Sequence, residues 1–175
     1  MAFDVQGDRG QAYTLGSVAL FLSAAAILIA LGYQYIGGYV PCPLCLMQRY
    51  AYYAAIPALF VAVALTSGGR GGWAAVLFAL VALGYLANTG LGIYQAGAEW
   101  KFWPGPATCG GDQALATSAG SLLKDLEGIK VARCDEASWR LLGLSFAGWN
   151  AVTSLLLMAI CLRAASAASD AVRKT

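Results

Sequence analysis

The sequence predicts an all-α integral membrane protein: a bundle of four transmembrane helices with a long loop between the third and fourth. Three observations lead there. Of the 175 residues, 59% are hydrophobic and only 11% charged, against roughly 25% charged in a soluble domain. Mean hydropathy is +0.64. The few charges gather near the ends and in one loop, leaving long uncharged runs. Short connections leave no room for a second domain, so residues 1–175 read as a single membrane domain. A net charge of +2 calls for neither nucleic acid nor an acidic substrate. Histidine is absent, which removes the commonest metal ligand and acid–base group.

Residues 1–14 hold Asp4, Asp8 and Arg9, unlike the basic start of a cleaved signal peptide. The amino terminus is therefore expected to be retained, with a permanent first span. A spanning helix needs about 20 mostly apolar residues, and four stretches reach that. The first covers about 15–36 and ends at Gly37-Gly38. The second covers about 44–65 and ends at the glycine-rich turn 67–72. The third covers about 73–95, and the fourth about 142–162, followed by Arg163 and a polar Ala/Ser-rich tail.

An even number of spans puts both termini on one side, with the Cys42 loop and the loop of about 96–141 on the other. Arg9, Arg70, Arg163, Arg173 and Lys174 on the terminus side match Lys101, Lys124, Lys130, Arg133 and Arg140 on the loop side in number. The positive-inside rule alone is a tie. The first loop has no basic residue before Arg49, and four of the five cysteines lie on the loop side, where an oxidising compartment would preserve disulfides. Both points favour cytoplasmic termini.

Several residues have structural explanations. Gly84, Asn88 and Gly92 share one face of the third span and suit close packing with an interhelical hydrogen bond. Trp100, Phe102, Trp103 and Trp139 suit interfacial anchoring. Leu122, Leu123, Leu126 and Ile129 suit a short helix lying on the membrane, or a cap on the bundle. Cys161, alone in the fourth span, reads as a small hydrophobe.

The chemistry concentrates at Pro41-Cys42-Pro43-Leu44-Cys45-Leu46-Met47-Gln48-Arg49. A CxxC pair signals redox or metal chemistry, and this one sits where a loop becomes a spanning helix. Pro43 suits the first helical turn. Cys42 and Cys45 then share a face at a separation that permits a disulfide. Unpaired N–H groups and the helix dipole favour a thiolate at Cys45. Arg49, one turn on, reaches the same surface; a charge at this depth is functional by default, the alternative being snorkelling to the headgroups. Cys109 and Cys134 form a second pair in the long loop, Cys109 following the non-helical Trp103-Pro104-Gly105-Pro106. Alone they would suit a structural disulfide. Beside an activated pair they read as the first station of a relay.

These residues resemble the DsbB family, the quinone-dependent disulfide bond formation proteins of bacterial inner membranes. The resemblance spans nearly the whole chain in topology and is sharpest at 42–49, 103–109 and 134–149. It implies that a reduced periplasmic DsbA-like thioredoxin-fold oxidase attacks a Cys109–Cys134 disulfide, with Cys109 forming the mixed disulfide. Electrons then pass to Cys42–Cys45 and on to a quinone of the membrane pool, ubiquinone or menaquinone. Cys45 would face the quinone, with Arg49 steadying the developing charge. Vitamin K epoxide reductase-like proteins also use four-helix bundles and quinones, but there the CxxC follows the loop pair; here it precedes. Some DsbB members carry a histidine near the end of the third span, where this chain has Gln95 or Glu99. Two rivals remain: a non-catalytic membrane scaffold with structural disulfides, and a four-thiolate metal site, which usually needs two CxxC-like pairs.

Overall fold

The computed structural model describes residues 2–105, 134 and 139–174. Four long helices form the bundle: α1 (Ala2–Tyr35), α2 (Pro43–Ser67), α3 (Gly71–Glu99) and α4 (Phe146–Arg173). All four are long and apolar enough to cross a membrane, and the protein is a four-span, multi-pass membrane bundle. Each helix packs on its neighbours in the order α1–α2–α3–α4, with α4 closing back on α1; α2 and α4 lie diagonally and barely touch. The α3–α4 interface is the most extensive. Phe78, Tyr85, Leu59 and Leu157 fill the centre. Phe21, Leu28, Phe60, Leu80 and Leu83 stay exposed on the outside, as side chains in contact with lipid must be.

The helix ends depart from the sequence expectation in ways the packing explains. The first helix begins at Ala2 rather than near residue 15. At 34 residues it is about 51 Å long, well beyond a hydrocarbon core of about 30 Å. Its early turns are docked by charge. The Arg9 guanidinium donates to the Thr66 and Ser67 carbonyls at the end of α2. Asp8 accepts from Lys174 at 2.7 Å. Both carbonyls lie in the last turn of α2, where intrahelical donors run out. Thr66 O also accepts from Gly69 N at 3.3 Å, and Arg9 adds a charged donor to each carbonyl. Both described chain ends thus meet at one end of the bundle.

The fourth helix starts later and ends later than expected. Residues 140–145 form a small antiparallel hairpin, β1 (Arg140–Leu141) with β2 (Leu144–Ser145). At its turn, Leu142 and Gly143 have φ of 53° and 84°, the pair of positive values a two-residue hairpin requires. Ser145 then caps α4, accepting from Gly148 N at 3.2 Å. At the far end the Ala/Ser-rich stretch is not a tail: it stays helical to Arg173, with Ala164, Ala167, Ala168 and Ala171 buried. Alanine is the best helix former, and here it lets α4 approach the start of α3 closely.

The packing expected along α3 holds at two of its three residues. Asn88 donates to Ser154 Oγ of α4 at 2.9 Å. A Cβ on Gly92 would lie 3.0 Å from Ala151. Gly84, by contrast, is exposed and faces open space. The face drifts around the helix between residues 84 and 92, because a four-residue step overshoots one turn of 3.6 residues. Gly37-Gly38 ends the first helix as expected, Gly38 taking φ 67°. The anticipated surface helix near 122–130 lies outside the described residues.

Candidate redox site

At the end of the bundle away from the termini, α2 begins at the sulfur pair. Cys42 is the N-cap in extended conformation, and Pro43 occupies the first turn. Cys42 and Cys45 form a disulfide with Cα atoms 5.1 Å apart. The backbone N–H of Cys45 donates to Cys42 Sγ at 3.2 Å. The free N–H of the helix start is therefore aimed at the Cys42 sulfur, not at Cys45. The Cys45 sulfur meets a side chain instead: Gln95 Nε2 on α3 lies 3.4 Å from each of the two sulfurs.

Gln95 is itself held. Its Oε1 accepts from Gln48 Nε2 at 2.8 Å, and its Nε2 also reaches Glu99 Oε1 at 3.4 Å. Gln48 Oε1 accepts from Asn150 Nδ2 at 2.8 Å, and Asn150 Oδ1 accepts from Tyr52 OH at 2.8 Å. Gln48, Tyr52 and Gln95 are all buried. Such polar residues inside apolar spans mark functional places by default. Their spacing was a readable signal: Gln48 and Tyr52, like Asn150 and Ser154, stand four residues apart on one helical face. Which helix would pair with which was not readable.

The disulfide borders a cavity of about 600 Å³, within the usual range for small-molecule sites. Cys42, Cys45, Arg49, Gln48, Gln95 and Glu99 contribute to one wall, and Leu22, Ala26 and Ile29 of α1 to another. Tyr33, Tyr39, Trp139 and Phe146 also line it. These rings pack together, Trp139 stacking on Phe146 at 5.0 Å and Tyr33 meeting Phe146 edge-on at 4.9 Å. Trp139, expected as an interfacial anchor, is a wall of the cavity. Trp103 stacks on Tyr94, and its indole N–H donates to the Tyr94 carbonyl at 2.9 Å.

Arg49 and Cys45 share this cavity without bonding to each other. The guanidinium donates to Gln34 Oε1 and, at 3.4 Å, to the Ala30 carbonyl, both on α1. Glu99 is buried, and its Oε2 has no hydrogen-bond partner among the described residues. Cys134 is fully buried, held in a disulfide, and clustered with Cys42 and Leu44, against which Cys45 packs. One cysteine of the loop thus lies against the CxxC pair. Cys109 lies outside the described residues. Cys161 is free and fully buried in the apolar core, as a structural cysteine should be.

A membrane-spanning helical bundle carrying a disulfide at the mouth of one span, with a further disulfide-bonded cysteine against it, defines a class: multi-pass membrane proteins of thiol–disulfide chemistry. The profile of the family described as disulfide bond formation protein DsbB matches residues 13–164, and the chain belongs to that family. Relatives named disulfide bond formation protein B include one from Aromatoleum aromaticum, 33% identical over 156 residues, covering 84% of this chain and 91% of the relative. One from Verminephrobacter eiseniae is 33% identical over 157 residues, covering 83% and 85%. One from Paracidovorax citrulli is 30% identical over 167 residues, covering 84% and 86%. No solved structure matches the chain. The protein is thus a membrane protein of disulfide bond formation.

Proposed function

We propose that the protein is a protein-dithiol:quinone oxidoreductase that reoxidises a periplasmic DsbA-like dithiol oxidase through two disulfides in series. The observation that carries this reading is the Cys42–Cys45 disulfide on the wall of a cavity that is apolar along α1 from Leu22 to Ala30 and polar around the sulfurs. A planar polar head on an isoprenoid tail fits that distribution. Arg49, Gln95 and Glu99 would hold the head, and Leu22, Ala26 and Ile29 the tail. When bound, the quinone supplies an acceptor for the electron pair and two protons released as the Cys42 and Cys45 thiols close to a disulfide.

The residues of the chain do the rest. A thiolate of the partner attacks Cys109 and releases the thiolate of Cys134. Cys134 lies against Cys42, so its sulfur attacks Cys42 and leaves the electron pair on Cys45, beside the cavity. The partner's second thiolate then attacks its own sulfur in the mixed disulfide, which frees an oxidised partner and the Cys109 thiolate. Cys109 attacks Cys134 in the Cys134–Cys42 disulfide, restoring the loop disulfide and leaving Cys42 and Cys45 as the reduced pair. The balance is one partner dithiol and one quinone converted to a partner disulfide and a quinol. The aromatic rings at the cavity exclude water from the sulfur pair, which protects the exchanging thiolates from side reactions. In this reading the sulfur end of the bundle faces the periplasm of a bacterial inner membrane and both termini face the cytoplasm.

The test is quinone consumption by the purified protein, supplied with a reduced thioredoxin-fold dithiol oxidase and ubiquinone or menaquinone analogues. Turnover that disappears on alkylation of Cys45 supports the assignment. Turnover that survives alkylation, or no cysteine-dependent turnover with either quinone, would leave only a membrane scaffold with structural disulfides.

A further inference from the structure

The amides behind the sulfur pair all point one way. Tyr52 O–H donates to Asn150, Asn150 N–H to Gln48, Gln48 N–H to Gln95, and Gln95 N–H to the sulfurs. Three of these four contacts are 2.8 Å long and bring together α2, α3 and α4. The direction is set at both ends. At the sulfur end, Gln95 Nε2 faces two sulfurs and Glu99 Oε1, all acceptors, so the amide nitrogen belongs there. At the inner end, Asn150 Oδ1 faces the Tyr52 hydroxyl and Asn88 Nδ2.

Interhelical glue would not need this arrangement. Disulfide sulfur is a weak acceptor, and a buried amide N–H left with a poor partner costs about 1–3 kcal/mol. The same contact becomes charge-assisted, and roughly twice as strong, once one sulfur is an anion. Aligned hydrogen bonds also polarise one another in a low-dielectric interior. The chain therefore suits the reduced pair better than the oxidised one.

We propose that Gln95 stabilises the Cys45 thiolate, with Gln48, Asn150 and Tyr52 as positioning residues that lock its amide in the donating orientation. The proposal rests on the reading of Cys42–Cys45 as an exchanging pair. In the step it serves, an incoming thiolate bonds to Cys42 Sγ, the Cys42–Cys45 bond breaks, and the electron pair stays on Cys45 Sγ, where the Gln95 N–H waits. No proton moves. Histidine is absent from the chain, and this device needs no titrating group.

The test is site-resolved alkylation of reduced Cys45 in the full-length protein in lipid nanodiscs, followed by mass spectrometry across pH. The ionisable groups around the cavity are Arg49 and Tyr52 of α2, Glu99 of α3, Tyr33 of α1 and the neighbouring Tyr39, with Arg140 of β1 acting on Glu99, so Glu99→Gln is run in parallel to isolate its contribution. Gln95→Leu should slow alkylation at neutral pH about tenfold while leaving the alkaline plateau unchanged. Tyr52→Phe, which removes the hydroxyl that contacts Asn150 and Ser154 at the far end, should slow it about two- to threefold. A merely structural role would change access, and with it the plateau. An unchanged ratio of neutral to plateau rate in Gln95→Leu overturns the proposal; if that variant does not fold, an unchanged ratio in Tyr52→Phe does so. Quinone consumption by the wild-type protein is measured separately. A shifted ratio without quinone turnover would sink the proposed activity and leave the role of Gln95 standing.

Discussion

Replacing Arg49 with methionine should cripple the use of quinone and spare the handling of the protein partner. The guanidinium is half-buried and anchored to α1 through Gln34 and, more loosely, the Ala30 carbonyl at 3.4 Å. Its remaining N–H groups are available to the cavity that Arg49 shares with Cys45. A hydrogen bond from a charged donor contributes about 1.5–3 kcal/mol, which converts to about ten- to hundredfold in kcat/KM for the quinone. Methionine keeps much of the volume and avoids burying a new polar group, so the bundle should persist. Lysine keeps the charge but loses the planar fork, and should fall between methionine and arginine. The assay varies the quinone at saturating reduced partner and, in parallel, traps the mixed disulfide formed with the partner. A quinone dependence identical to wild type in Arg49→Met would show that the guanidinium only braces α1 against α2.

Three further outcomes follow from the geometry. Cys109→Ser should block electron entry from the partner while Cys42–Cys45 still exchanges with quinone; thiol trapping of each pair reads this directly, and normal transfer from the partner would refute the order of the relay. Gly92→Val puts a Cβ about 3.0 Å from Ala151 N and Cβ and 3.1 Å from the Ala147 carbonyl, atoms that cannot swing aside, so it should destabilise the α3–α4 interface by about 1–3 kcal/mol. Unfolding in mixed micelles measures that, and an unaltered midpoint would refute the close approach. Gly97→Ala places a methyl in the Trp103 ring and should cost about 1–2 kcal/mol through the lost indole hydrogen bond and stacking, seen as faster hydrogen exchange confined to the end of α3.

The bundle was legible because a membrane leaves few options: every backbone group must be paired within the span, so four apolar stretches of sufficient length mean four helices. The CxxC was legible for a similar reason, since Pro43 and the loop-to-span boundary fix where the helix starts. The helix ends were less so. Arg9 extends α1 because carbonyls of α2 stand opposite it, a fact of tertiary packing with no local trace. Residues 163–173 read as a polar tail because composition was weighed above the helix propensity of alanine. Residues 142–145 read as span because Leu142 and Leu144 are apolar, although Gly143 marked the turn. At the site, the helix-start N–H was expected to serve Cys45, yet the N-cap sulfur of Cys42 takes it. Gln95 was visible only as a residue near the right place, since the sulfurs and Gln48 that it meets belong to another helix, α2.

The chain contains its own control for what makes a membrane thiol useful. Cys45 and Cys161 both lie within apolar helices that span the bilayer. Cys161 is fully buried among residues such as Leu157 and Ala164 and makes no hydrogen bond among the described residues. Nothing there could support a negative sulfur, and no cavity need reach it. Cys45 sits a single turn inside its span, half-buried, with an amide nitrogen at 3.4 Å and a cavity at its side. Hydrophobic burial alone suppresses thiolate chemistry, because a charge moved into low dielectric is costly unless it is paired or hydrogen-bonded. Moving the polar partners, rather than the sulfur, should therefore move the reactivity. A variant with Gln48, Gln95 and Asn150 all replaced by leucine should keep a helical bundle and a closed Cys42–Cys45 disulfide, yet exchange it at a small fraction of the wild-type rate. If that triple variant turned over normally in thiol exchange, the polar set would be packing alone, and the activation of Cys45 would have to come from the helix and Arg49.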